Sequence, residues 1–145
     1  MQRRYLQLDV FSERAGSGNA LGVVVDAEGL DAAAMQAIAR WLNLSETVFF
    51  QPADPGADYH VRIFTPTCEL PFAGHPSVGA AWAAVQLELA SPSEERLLTQ
   101  QCAAGLLPVR ITGSRWFRLV HVRCPQAQQR ADVQAQLPPQ LAAIA

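Results

Sequence analysis

Residues 76–87, PSVGAAWAAVQL, restrict the fold more than any other stretch of the chain. Pro76 or Ser77 opens a helix that runs to about Leu87. Val78, Ala81, Trp82 and Val85 line one face, and Ala80, Ala83, Ala84 and Leu87 cover much of the rest. A helix apolar nearly all round has no face to give to water, so it must be covered on most sides. The neighbouring segments can supply that cover. Residues 5–11 alternate, with Leu6, Leu8 and Val10 on one face and Tyr5, Gln7, Asp9 and Phe11 on the other, the period of a strand with one buried side. Further strands are expected at 20–25, 47–50, 59–64, 96–101, 106–111 and 116–123. Asp31 caps a second helix to about Leu42, whose Met35, Ile38, Ala39 and Leu42 form one stripe. Residues 12–19 read as a turn, 52–57 as a loop, and 65–76, with three prolines, as a structured loop. Strands and helices do not alternate regularly, which disfavours a nucleotide-binding βαβ fold. The order fits an α+β domain, a curved sheet wrapped around one apolar helix.

A chain of 145 residues suffices for one domain and is short for two. Residues 1–125 form that domain. The last segment, rich in Gln, Ala and Pro, reads as a linker-like or short helical tail over 126–145 with no second domain after it. Eleven basic residues against thirteen acidic ones, a net charge of -2, argue against nucleic acid and against an anionic membrane surface. No run approaches the 18 or so apolar residues of a spanning helix, and the N-terminus lacks a signal-peptide core. Cys68, Cys102 and Cys124 are odd in number and widely spaced, as for isolated thiols in the cytoplasm.

Four polar clusters stand out. Ser17-Gly18-Asn19 is either a local turn or a nest of N–H groups for a small anion. Asn43-Leu44-Ser45-Glu46-Thr47 lies where a helix hands over to a strand. Glu46 there is either an exposed edge carboxylate or a partly dried one suited to holding and releasing a proton. Glu69 reads as a loop carboxylate bonded to nearby amides. Ala73-Gly74-His75-Pro76 places an imidazole immediately before a helix start, where free N–H groups favour an anion. No pattern matches a metal site, and GSGNALG lacks the glycine spacing of a dinucleotide fingerprint.

Taken together, DVFSERAGSGNALGVVVD (9–26), MQAIARWLNLSETVFF (35–50) and RIFTPTCELPFAGHPSVGAA (62–81) resemble the N-terminal half of PhzF-type phenazine biosynthesis isomerases, relatives of diaminopimelate epimerase. The resemblance implies a diaminopimelate epimerase-like half, a mostly antiparallel sheet around a central helix. It implies a site in the cleft between two such halves, working without metal or organic cofactor. Glu46 matches the glutamate that moves a proton between carbons, and His75 matches a histidine that assists. Gly18, Asn19, Ser45, Gly74 and Ser77 match the pocket lining. The two-thiol racemase mechanism of other relatives loses a thiol, because Ala73 stands before Gly74. The implied activity is proton transfer on a small cyclic amino acid or carboxylate such as trans-2,3-dihydro-3-hydroxyanthranilate. A second subunit, in a homodimer, or a missing domain would complete the site. The other reading is a non-catalytic truncated paralogue or fragment that binds a small carboxylate.

Overall fold

The structure, a computed structural model, describes residues 2–12, 14–114, 117–122 and 133–137. The strands are β1 (Tyr5–Val10), β2 (Asn19–Val24), β3 (Glu46–Gln51), β4 (Tyr59–Phe64), β5 (Glu69–Leu70), β6 (Leu97–Cys102), β7 (Gly105–Ser114), β8 (Phe117–Val122) and β9 (Val133–Leu137). Helix α1 (Ala32–Leu42) follows β2, and α2 (Gly74–Gln86) follows β5. The strands join in one curled sheet in the order β1-β2-β3-β4-β6-β7-β8-β9, with the short β5 on β4.

The sheet is mostly antiparallel, as expected. Its two parallel pairings are β2·β3 and β4·β6. Each is bridged by a helix, because parallel neighbours need a crossover. The helices lie on opposite faces. Leu21, Val23, Val48, Phe50, Val61 and Ile63 pack with α2, whereas Val24, Phe49 and Phe64 pack with Met35 and Ala39 of α1. This two-sided burial explains why β2 and β3 read as continuous apolar runs instead of alternating.

The apolar helix is central, as its composition requires. Pro76 through Ala81, Ala83 and Ala84 are all buried, and α2 lies against β1, β2, β3, β4, β6 and β8. Small residues let it come close. A Cβ on Gly79 would overlap Leu21 Cδ2 and approach Val10 Cγ2 to 3.1 Å. Helix α1 has the expected cap. Asp31 accepts from Ala34 N at 2.8 Å, and Asn43, in the left-handed region, closes the far end by donating to Ala39 O.

Three expectations are corrected here. Helix α2 starts at Gly74, so His75 lies inside its first turn and not before it. Pro76 is tolerated there because a first-turn N–H has no helical partner to lose. The loop at 65–76 contains β5, paired antiparallel through Ile63↔Leu70 and Phe64↔Glu69. In the expected tail, Val133–Leu137 forms a strand paired with β8, which fits the period-two spacing of Val133, Ala135 and Leu137. Cys124 and the prolines at 138 and 139 lie outside the described residues.

A buried polar chain ties the helix to the sheet. Tyr59 Oη donates to Gln100 Oε1 at 3.1 Å, and Gln100 Nε2 donates to Ser77 Oγ at 2.9 Å. Burial, helped by the charges of Cys102 and Asp58, pushes the Tyr59 phenol well above its ordinary value of 10.0. The folded state therefore resists phenolate formation more than the unfolded chain does. The stability this contributes is whole below about pH 10 and is lost as pH rises beyond it. Urea midpoints measured from pH 8 to 12 should fall above pH 10, and Tyr59→Phe should flatten that fall.

Candidate active site

The parallel pairing of β2 and β3 sets Leu21 opposite Glu46, so the two strands begin at the same edge of the sheet. The N-terminus of α2 reaches that edge. Glu46 shares the inward face of β3 with Val48 and Phe50, two residues apart each time, and so points toward α2. Asn19, Ser45, Glu46 and His75 meet there from three elements.

The contacts form a chain. Ser45 Oγ donates to Asn19 Oδ1 at 2.8 Å, which orients the amide. Asn19 Nδ2 faces His75 Nδ1 at 3.3 Å. His75 Nε2 lies 3.1 Å from the Asn19 carbonyl, and His75 Nδ1 lies 2.9 Å from Glu46 Oε2. The His75 side chain is 9% exposed and that of Glu46 19%.

These partners assign the protons. A carbonyl only accepts, so Nε2 carries hydrogen and donates to Asn19 O. Without a further proton, Nδ1 accepts from Asn19 Nδ2; a further proton would lie between Nδ1 and Oε2. Either a carboxylic acid donates to neutral imidazole, or imidazolium donates to carboxylate. The two forms differ only by a proton displaced along a 2.9 Å line. A carboxylate and an imidazole in direct contact are the donor and acceptor groups that a proton carrier needs.

Two loops position the pair. The turn after β1 is folded by Asp9, whose Oδ2 accepts from Gly16 N at 2.6 Å and Ser17 N at 3.2 Å. The anion nest considered for this turn therefore binds the chain's own carboxylate. Gly18 fits because it has no side chain: a Cβ would overlap Val10 O and Asp9 Oδ1. The loop leading to α2 is clamped by Arg62, which donates from Nε and Nη2 to the two oxygens of Glu69, both at 2.7 Å. Glu69 thus pairs with a guanidinium and not with amides. The bond to the Glu69 carboxylate raises the Arg62 pKa, outweighing the partial burial that opposes it.

Of the residues expected at the site, Glu46, His75, Asn19 and Ser45 come together. Gly74 opens the helix turn beside them, where Ala73 supplies no side-chain cap. Gly18 shapes the bend. Ser77 does not join them. It is fully buried, its hydroxyl accepts from Gln100, and its N–H donates to Ala73 O. Two helical steps turn its side chain about 200° from that of His75. Two contributors went unmarked by any sequence pattern, Asp9 and Phe11. Phe11 lies 5.9 Å from the His75 ring, centroid to centroid. Among the described residues, no group of three or more His, Cys, Asp or Glu is placed to hold a metal ion, and no helix is long and apolar enough to cross a membrane.

A family model described as PhzC-PhzF, phenazine biosynthesis-like protein, matches residues 8–139. The chain belongs to this family. An uncharacterized isomerase of Mesorhizobium japonicum is 44% identical over 140 residues, covering 92% of this chain and 45% of that protein. Trans-2,3-dihydro-3-hydroxyanthranilate isomerase of Pseudomonas aeruginosa is 44% identical over 105 residues, covering 72% and 36%. The crystal structure of a PhzF-family protein of Bacillus anthracis superposes with a TM-score of 0.74 at 32% identity, over 85% of this chain and 41% of that one. The fold is thus one diaminopimelate epimerase-like half, and the chain spans less than half the length of these PhzF relatives.

Proposed function

We propose that this PhzF-family chain is a cofactor-independent isomerase half-site that moves a proton between carbons of a small cyclic carboxylate. The Glu46–His75 pair, with Nε2 held by the Asn19 carbonyl, is the observation that carries this reading. In the ionised form Nδ1–H holds Oε2. Glu46 Oε1, which the imidazole does not hold, takes a carbon-bound proton. The C–H electron pair moves into the substrate π-system, and the proton returns to a different carbon. No oxidant or reductant is consumed. His75 is a second proton station and orients the carboxylate. First-turn N–H groups at Gly74 and His75 suit the substrate carboxylate, as helix N-termini suit anions.

The opposite wall of the cleft is supplied by a second subunit or by a second domain. Trans-2,3-dihydro-3-hydroxyanthranilate is the proposed substrate, because isomerases named for it are among the relatives. The test is conversion of that compound by the chain at micromolar to several hundred micromolar protein. Conversion supports the reading, and specific activity that rises with protein concentration supports a site shared between copies. No conversion across that range contradicts a site completed by a second copy of the chain.

A further inference from the structure

Phe11 occupies a place that core packing does not explain. Leu8 and Val10 of β1 are buried against α2, and Asp9 points to the other side. Continued as a strand, the chain would send Phe11 outward with Asp9. It does not. Phe11 has a φ of 64°, a left-handed conformation that is unfavourable for a bulky side chain. Such a residue persists only where its surroundings hold it, and here Asp9 before it and Ser12 after it are both held. Asp9 binds Gly16 N and Ser17 N. Buried Ser12 accepts from Arg14 N at 3.0 Å and shares a hydrogen bond with Ser17 Oγ at 2.7 Å.

The backbone reversal brings the aromatic ring across to the imidazole. The rings meet at 5.9 Å and 49°, a tilted contact. Only part of the phenyl ring is used, and Phe11 remains 43% exposed beside the proton-sharing pair. Aromatic faces gain from stacking on another planar ring.

We propose that Phe11 is the ring-recognising wall of this site. Its open face stacks on the ring of a cyclic carboxylate and so selects ring-shaped over open-chain substrates. This rests on the proton-transfer reading for the location of the substrate, and it adds the residue that chooses among carboxylates.

The test compares benzoate with propanoate, titrated into the full chain and followed by NMR at the His75 imidazole. Benzoate should bind about five- to tenfold more tightly. Phe11→Leu should lose most of that ratio while urea denaturation shows it folded, and Phe11→Tyr should restore it. Phe11→Met serves in its place should the Leu variant not fold. A wild-type ratio in the aliphatic variant, no ring preference in the wild type, or failure of Tyr to restore the ratio would each overturn the proposal. The two readings fail separately. Turnover unaffected by Glu46→Gln removes the proton-transfer role and leaves the benzoate ratio standing, whereas a ratio indifferent to Phe11 leaves the dependence on Glu46 standing.

Discussion

Glu46→Gln is expected to lower isomerisation by about 10²- to 10⁴-fold, the usual worth of a positioned general base. The same change should alter folding stability by no more than about 1 kcal/mol. Glutamine keeps the length and shape of the side chain. Its amide can donate to Nδ1 of a neutral imidazole, while Nε2 still donates to the Asn19 carbonyl at 3.1 Å. The contacts survive and the capacity to take up a proton does not. Initial rates and a urea midpoint, measured on both proteins, separate the two effects. Equal rates would remove Glu46 from the chemistry, and a collapsed midpoint would make its role structural.

Gly18→Ala is the second large effect expected, and it acts through the fold. Val10 and Asn19 face each other where β1 pairs with β2. A methyl group on Gly18 would overlap the Val10 carbonyl and the Asp9 carboxylate, and would reach Ser12 Cβ at 2.7 Å. Two of those neighbours cannot yield cheaply. Val10 O is backbone in a paired strand, and Asp9 is bound by two N–H groups. Overpacking of this kind costs about 1–3 kcal/mol, visible as a lower urea midpoint. Relief by moving the turn would displace Asn19, whose carbonyl accepts from His75 Nε2. A shift of about 1 Å there should cost on the order of 100-fold in rate. Wild-type rate and midpoint would show that the turn does not govern the site.

The sequence reveals elements more readily than their meeting points. The burial of α2 follows from its composition, and the cap at Asp31 from its position before an apolar stripe. Glu46 and His75 are recognisable within their motifs. Their contact is not, because 29 residues separate them and two antiparallel strands, β4 and β5, lie between them in the chain. Ser77 is a pocket residue by the family resemblance, but helical rotation turns it into the core. Ser17-Gly18-Asn19 reads as either a turn or an anion nest, because nothing local marks Asp9 as the acceptor of Gly16 N and Ser17 N, seven and eight residues away. Phe11 follows strand alternation in the sequence, and a single left-handed residue reverses its direction. Each departure arises where a tertiary contact overrides a local pattern.

Solvent exchange tests the central claim most directly. The chain and its Glu46→Gln variant are incubated with trans-2,3-dihydro-3-hydroxyanthranilate in deuterium oxide, and the recovered compounds are read by mass spectrometry. Glu46 shares its proton with His75 and can exchange it with water between uptake and return. Deuterium on carbon that appears with the wild type and disappears with the variant is the predicted result. Isomerised product with label that does not depend on Glu46 would contradict the assignment of Glu46 as the proton carrier.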